Sequence, residues 1–271
     1  FPGVAGEEGG DVVPAARPVA ARFAAAVVLD DDADVEASHR ADVGHQPALG
    51  PQDRHLLPRG RQRGRTALAG VNGYVSEDLT PLTNQNSGLF LDMRNGRRWL
   101  KEQAKDCKVL NLFSYTCAFS VAAIAGGADH VVNVDMSKGA INTGRDNHRL
   151  NGIKGDRVTF LAYDLFRSWK RVRQLGPYDL IVIDPPSFQP GSFVAEKDYR
   201  KVIRRLNELT AAGGQVLACH NDPKNGTEFL KQLMLEECPD FTFVERLENP
   251  DDFPEAELEK GLKVLLYVRD K

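Results

Sequence analysis

Hydrophobic and polar positions follow one another along the chain in a pattern that predicts strands and helices in regular succession from residue 109 onward. Short apolar runs predict strands, and longer segments whose apolar residues recur every three or four positions predict helices. The predicted strands span 109–113, 131–134, 158–162, 180–183 and 215–219. The predicted helices span 118–125, 138–150, 165–174, 197–209 and 227–235. This succession is typical of a parallel sheet joined by right-handed crossovers and covered by helices on both faces.

The last two predicted strands, 241–247 and 262–268, have no helix of useful length between them. They are expected to pair as an antiparallel hairpin at one edge of the sheet. The sequence therefore predicts an α/β fold whose sheet is parallel except at that edge.

The fourth strand is followed by a motif that carries more functional information than any other stretch of the chain. It reads Asp184-Pro185-Pro186-Ser187-Phe188. Two prolines cannot donate to a strand ladder, so the strand ends at Asp184, at the sheet edge where ligands bind in open α/β folds. A planar ring could stack on Phe188 and hydrogen-bond to Asp184. The alternative is an acid-capped turn after a core strand.

Acidic residues also follow the second and third strands. Asp135 comes directly after 131–134, and Asp164 lies two residues beyond 158–162. A carboxylate in the first position can accept the two hydroxyls of a ribose, and one in the second can accept from an adenine amine. Each acid taken singly could instead be a helix N-cap. Three acids at the carboxyl ends of neighbouring strands together indicate a nucleoside site.

The turn after the first strand narrows the choice of nucleoside. It reads Ser114-Tyr115-Thr116-Cys117-Ala118 and contains no Gly-x-Gly-x-x-Gly. This argues against a dinucleotide pyrophosphate on the helix N-terminus, and with it against an oxidoreductase. A ligand with adenosine and no phosphates fits better, and that ligand is S-adenosylmethionine (SAM).

Several motifs resemble those of the class I methyltransferases of the bacterial 23S rRNA type, which methylate cytosine C5 or guanine. The motifs are residues 85–94, 111–116, 133–137, 147–152 and 184–188. The resemblance covers about residues 71–271 and implies a Rossmann-like fold with a mostly parallel seven-stranded sheet and an antiparallel edge strand. It also implies SAM as cofactor and RNA, most often 23S rRNA, as partner. The family usually has glycine where Cys117 and Ala118 stand.

The resemblance assigns roles to individual residues. The cofactor-binding set is Phe90, Arg94, Phe113, Ser114, Tyr115, Thr116, Asp135, Met136, Ser137, Asp164 and Leu165. The catalytic set is Asp184, Pro185, Pro186, Phe188 and Cys219.

Cys219 bears on which atom of the base is methylated. Cytosine C5 becomes nucleophilic only after a thiolate adds at C6, and Cys219 resembles the family's nucleophile at the end of the fifth strand. The cytosine route is therefore favoured. Methylation of a guanine or adenine nitrogen needs no thiol and is the alternative, with Asp184 and the prolines holding the amine and Phe188 stacking. A non-catalytic module that binds RNA or a nucleotide is a further alternative.

Overall charge does not indicate nucleic acid, because the chain has 35 Lys and Arg against 38 Asp and Glu. Two local clusters of basic residues could contact phosphates. They are Lys197, Arg200, Lys201, Arg204 and Arg205, and Arg97, Arg98, Lys101, Lys105 and Lys108. The four cysteines show neither metal-ligand spacing nor a disulfide framework, and no apolar run is long enough for a membrane helix. We therefore expect a cytoplasmic protein without a metal.

The first 69 residues have a different composition from the rest. They contain no Lys, Ile, Asn, Met, Cys, Trp or Tyr. The sequence predicts a disordered or mistranslated leader over 1–69. A β-hairpin and helix are expected over 70–108, leading into a SAM-binding methyltransferase domain over 109–271.

Overall fold

The computed structural model describes residues 88–186, 188–189 and 193–270. The leader predicted for 1–69 and the stretch before residue 88, where the predicted hairpin would fall, lie outside the described residues.

Helices and strands alternate through this part of the chain. The helices are α1 (Arg94–Gln103), α2 (Ala118–Ala125), α3 (Lys138–Leu150), α4 (Leu165–Leu175), α5 (Ala195–Ile203), α6 (Leu206–Leu209) and α7 (Thr227–Glu237). The strands are β1 (Lys108–Leu112), β2 (His130–Asp135), β3 (Val158–Ala162), β4 (Tyr178–Ile183), β5 (Phe188–Gln189), β6 (Phe193–Val194), β7 (Thr210–His220), β8 (Phe241–Leu247) and β9 (Lys263–Arg269). No helix among the described residues is long and apolar enough to cross a membrane.

Seven strands form one sheet in the order β3-β2-β1-β4-β7-β9-β8, and β5 pairs with β6 in a separate hairpin. The pairings among β1, β2, β3, β4 and β7 are parallel, whereas β9 runs antiparallel to both β7 and β8. The predicted Rossmann-like sheet with an antiparallel edge is confirmed. The direction of strand addition reverses between β1 and β4, and this is the point where open α/β sheets bind ligands.

Alternate residues of each central strand face opposite sides of the sheet, as the pleat requires. Ile181 and Ile183 belong to the apolar core on one side, with α4, α5 and α7. Leu180 and Val182 belong to the core on the other side, with α1 and α2. Because both faces are covered, β4 is apolar at consecutive positions, and this is the run that predicted a buried strand.

The helix predicted over 197–209 is two helices. α5 ends at Ile203 and α6 begins at Leu206, and both of these side chains are completely buried. The two residues between them, Arg204 and Arg205, keep right-handed helical dihedral angles, and Ile203 and Leu206 reach the same core.

A buried chain of hydrogen bonds links β1 to α3. The amide of Asn111 donates to Asn133 Oδ1 (2.9 Å), and Asn133 donates to the hydroxyl of Ser120 (2.9 Å). Ser120 Oγ lies 2.8 Å from Nε2 of His148, and His148 Nδ1 lies 2.7 Å from the Gly144 carbonyl. These four side chains are at most 4% exposed, so the chain of bonds satisfies polar groups that burial would otherwise penalise.

Candidate active site

A cavity of about 650 Å³ opens at the carboxyl ends of β1, β2, β3 and β4. Its remaining walls are formed by the segment before α1, by Asn221 after β7 and by Leu262 before β9. The residues predicted for the site that line it are Phe90, Phe113, Ser114, Tyr115, Thr116, Asp135, Met136, Ser137, Asp164, Leu165, Asp184, Pro185 and Pro186. Residues far apart in sequence are thus brought to one place by the parallel strands.

The loop after β1 has an unusual backbone conformation. Phe113, Tyr115 and Cys117 have positive φ angles of 57°, 44° and 64°, in the region that favours glycine. Thr116 Oγ1 donates to the Gly88 carbonyl (2.6 Å), and the Ser114 N–H donates to the Val134 carbonyl (3.0 Å). These bonds hold the strained loop in place along the cavity wall.

Asp135 is fixed by the backbone at the end of β2. Its carboxylate accepts from the N–H of Tyr115 (2.9 Å) and from the N–H of Ser137 (2.8 Å). Burial raises the pKa of Asp135, and these two hydrogen bonds oppose the increase only in part. The N-cap of α3 is Ser137, which accepts from the Ala140 N–H, so Asp135 is not a helix cap. The carboxylate retains lone pairs for a ligand in the cavity.

Asp164 is a helix cap that also lines the cavity. It is the N-cap of α4, accepting from the N–H of Phe166 (2.9 Å), and it also lines the cavity. Next to it, Tyr163 is 51% exposed, and Met136 at the end of β2 is 49% exposed. Large apolar side chains left open at a cavity wall provide surfaces on which a planar ring can pack.

Asp184 lies in the same cavity, at the end of β4, together with Asp92 and Arg97. Burial, and then the negative charge of Asp92, raise the pKa of Asp184 to about 7, against a lowering by Arg97. Burial also raises the pKa of Asp92. Arg97 is itself buried and donates to the Phe90 carbonyl (2.7 Å).

Two residues of the predicted set do not line the cavity. Arg94 pairs with Asp252, and one of the two hydrogen bonds between them measures 3.0 Å. Cys219 is 0% exposed within the apolar core that also contains Met93 and Phe119. Burial raises the pKa of the Cys219 thiol well above its ordinary value, so the thiol is neutral.

The backbone of Phe188 pairs with Val194 in the β5–β6 hairpin, directly after the prolines. The stacking predicted for its side chain lies outside the described residues. Tyr199 lies behind the motif, between the ends of β4 and β7. Its hydroxyl donates to the Cys219 carbonyl of β7 (2.9 Å) and lies 3.4 Å from the Ile183 carbonyl of β4.

Sequence reasoning missed several residues of the cavity, including Asp92, Tyr163, Phe193 and Asn221. Tyr163 and Asn221 stand directly beside strand ends, and the rule that ligands bind at carboxyl ends could have found them. Asp92 and Phe193 reach the cavity through tertiary packing, for which no local pattern gives a signal.

The first basic cluster is neutralised by acidic neighbours. Arg200 pairs with Glu236 and Glu237, and Arg204 pairs with Glu237. Lys201 and Arg205 pair with acids on their own segment, Asp198 and Glu208. Four of the five basic residues of this cluster therefore take part in ion pairs, and the fifth, Lys197, is exposed.

A model of the S-adenosylmethionine-dependent methyltransferase family matches residues 70–268. The chain belongs to this family.

Individual members show the same relationship. The methyltransferase is 40% identical over 144 residues to the ribosomal RNA large subunit methyltransferase K/L of Shewanella loihica, covering 51% of this chain and 20% of the relative. It is 31% identical over 182 residues to the ribosomal RNA large subunit methyltransferase I of Aeromonas hydrophila, covering 66% of this chain and 46% of the relative. The chain thus spans less than half the length of these two relatives.

Among solved structures, the methyltransferase SMU.776 complexed with SAH superimposes with a TM-score of 0.65 at 31% identity, covering 69% of this chain and 51% of that one. The predicted cofactor, SAM, is confirmed by the family. The cavity residues fit it, since the carboxylate of Asp135 is fixed at the end of β2 and exposed apolar groups flank it.

Proposed function

We propose that this methyltransferase transfers the methyl group of SAM to a base of large-subunit ribosomal RNA. The observation that carries the proposal is the cavity to which three strands of the sheet, β2, β3 and β4, each bring an acid, Asp135, Asp164 and Asp184. The K/L and I relatives are named as ribosomal RNA large subunit methyltransferases, and this supports ribosomal RNA as the acceptor.

The half of the cavity at β1, β2 and β3 would hold the cofactor. Asp135 accepts the ribose hydroxyls with the lone pairs that its two backbone hydrogen bonds leave open. Met136 and Tyr163 pack against the adenine, and Asp164 accepts from the adenine amine. The loop 113–117, already held by backbone and side-chain bonds, holds the methionine part without a further cost of ordering.

The half at β4 would hold the acceptor base. Asp184 takes a hydrogen bond from the base edge, and the rigid turn of Pro185 and Pro186 fixes the height of the base above the strand end. Methyl transfer requires the attacking atom, the methyl carbon and the sulfur to be aligned. The turn therefore contributes by positioning, and small displacements are costly.

Two routes remain for the atom that is methylated. Cys219 stands at the end of β7, next to the strand that carries Asp184, and this favours the cytosine C5 route. Its complete burial and neutral thiol favour the second candidate, transfer to a purine nitrogen without a covalent intermediate.

The test is transfer of labelled methyl groups from SAM to large-subunit rRNA prepared from cells lacking the activity. We expect incorporation by the native protein and a loss of about a hundredfold or more in Asp184→Ala, because the base edge is no longer held. The exposed Asp156→Ala is the matched control. Absence of label in any large-subunit RNA, with SAM bound, would contradict the proposal.

The same assay decides between the routes. Nucleoside mass spectrometry identifies the product, and Cys219→Ala tests the thiol. A 5-methylcytosine product that disappears in Cys219→Ala establishes the cytosine route. A methylated purine that persists in Cys219→Ala establishes the nitrogen route.

A further inference from the structure

Three charged side chains meet in the part of the cavity beside the proline turn. Asp184 follows β4, Asp92 lies in the segment that leads into α1, and Arg97 lies in the first turn of α1. Met93, next to Asp92, packs in the same apolar core as Val182 of β4, and this packing anchors the segment to the strand. The arrangement brings two carboxylates and one guanidinium to the same end of the cavity.

The charges in this cluster do not balance when both carboxylates are ionised. Arg97 compensates one of them, and Glu255, in the loop before β9, adds further negative charge near Asp92. Tyr199 and Cys219 also face Asp184, but burial raises the pKa of both groups, so they remain neutral. Among the described residues, Arg97 is the one cation that acts on both carboxylates, so at least one negative charge of the cluster stays uncompensated.

This excess suits one feature of the cofactor. SAM carries a sulfonium cation, whereas SAH carries a neutral thioether in its place. The ammonium and carboxylate of the methionine part are common to both molecules. A cluster with one excess negative charge therefore complements SAM and not SAH.

We propose that Asp92 and Asp184 together distinguish SAM from SAH by charge. Both carboxylates are ionised in the presence of the sulfonium, and they share one proton when the thioether takes its place. The proton passes to solvent when SAM binds and is taken from solvent when SAH replaces SAM. The proposal rests on SAM as methyl donor and not on RNA as acceptor.

The protonation state of Asp184 itself agrees with this proposal. Burial and the charge of Asp92 bring the pKa of Asp184 to about 7, so near neutral pH the proton is partly present and available for release. A carboxylate that was already ionised at this pH would have no proton to give up.

Calorimetry measures this proton directly. The full chain is titrated with SAM and with SAH at pH 7 in phosphate and in Tris buffers, whose ionisation enthalpies differ. We expect SAM to release a fraction of a proton per site, since Asp184 is partly protonated there, and SAH to take up the remaining fraction. Equal proton counts for the two molecules would overturn the proposal.

Variants identify the groups responsible. In Asp92→Asn we expect the difference in proton release to vanish and SAM affinity to fall by about tenfold, with SAH affinity almost unchanged. Glu257→Gln, which removes an exposed carboxylate of the loop before β9, should behave as the native protein. A difference that persists unchanged in Asp92→Asn would remove Asp92 from the proposal.

Two further results keep the conclusions separate. If Asp92→Asn does not fold, Asp184→Asn removes the titrating group itself and must abolish the differential release. Proton-linked SAM binding without methyl transfer to rRNA would overturn only the proposed function. Methyl transfer with equal proton counts would overturn only this inference.

Discussion

At the scale of single residues, three acids of the cavity, Asp92, Asp135 and Asp184, are held under conditions that oppose their ionisation. Asp184 is the strongest example, because burial and Asp92 both act against its charge. Maintaining such a group costs folding free energy at neutral pH, and functional sites commonly carry this kind of cost. Removing the charge should therefore make the protein more stable and less active.

Asp184→Asn tests this cost. The folded protein keeps a proton on Asp184 up to about pH 7, whereas the unfolded chain loses it near 3.8, so the free energy of unfolding falls as pH rises through this window. We expect the variant to be more stable than the native protein at pH 8, by about 4 kcal/mol, and equally stable near pH 4. Denaturant unfolding across this range measures the difference, and a gap independent of pH would contradict the explanation.

Asp135→Ala tests the cofactor half of the cavity. Loss of charge-assisted hydrogen bonds to the ribose should weaken binding of both SAM and SAH by about tenfold or more. Because both ligands contain the ribose, their affinities should fall together, in contrast to the effect of Asp92→Asn. The control is Asp129→Ala, which changes an exposed residue just before β2, at the other end of the strand. This variant should bind both ligands with native affinity. Calorimetric titration of a folded variant with native affinity would exclude Asp135 from the site.

At the scale of elements, the loop after β1 and helix α3 fit together at one point. Cys117, which stands where the family usually has glycine, has a φ of 64°, and this explains why glycine suits the position. Its side chain lies against Gly144 of α3: a Cβ on Gly144 would be 2.5 Å from the Cys117 Sγ and 3.1 Å from its Cβ. The thiol of Cys117 thus fills the space that would be left open if residues 117 and 144 were both glycine.

Gly144→Ala should therefore destabilise the protein despite the better helix propensity of alanine. We expect a loss of about 1–3 kcal/mol from overpacking, measured by denaturant unfolding. Adding Cys117→Gly should restore most of it, because this change removes both clashing atoms and relieves the positive φ. Strictly additive effects of the two changes would show that the contact is unimportant.

At the scale of the whole molecule, basic residues that the sequence predicts to contact phosphates are paired with acidic residues in the folded protein. The basic residues of α5 and its continuation recur at helical spacing, but acids from α7, and from their own segment, neutralise them. Their contribution to RNA affinity should be small.

Replacing both Arg200 and Arg204 with Gln should leave the affinity for large-subunit rRNA within about twofold of the native value, because no phosphate contact is lost. The salt dependence of binding gives the sharper measurement, since each lost phosphate contact would lower its slope by about one. A shallower slope in the double variant would place this helix face on the RNA.

Much of this architecture could be predicted from the sequence because the central strands contain short apolar runs that are followed by a turn or cap. The bounds predicted for 118–125, 138–150, 158–162 and 241–247 agree with α2, α3, β3 and β8. The acids that follow the strands could be assigned to one site because the carboxyl ends of parallel strands meet at the same edge of the sheet. The depth of Cys219, the pairing of Arg94 with Asp252 and the approach of Asp92 to Asp184 depend on packing between distant segments, which periodicity does not encode.

The buried chain of bonds from Asn111 to Gly144 has a direction, and this direction determines where one hydrogen atom resides. The Gly144 carbonyl can only accept, so Nδ1 of His148 must donate to it, and Nε2 must accept from the Ser120 hydroxyl. Burial lowers the pKa of His148, which keeps the ring neutral. Nitrogen NMR of labelled protein should therefore show a histidine fixed in the Nδ1–H tautomer, with a ring proton that exchanges slowly with water. In Ser120→Ala, Nε2 of His148 loses its hydrogen-bond donor, and we expect its nitrogen resonance to shift. The resonance of this one atom therefore reports on the packing inside the protein.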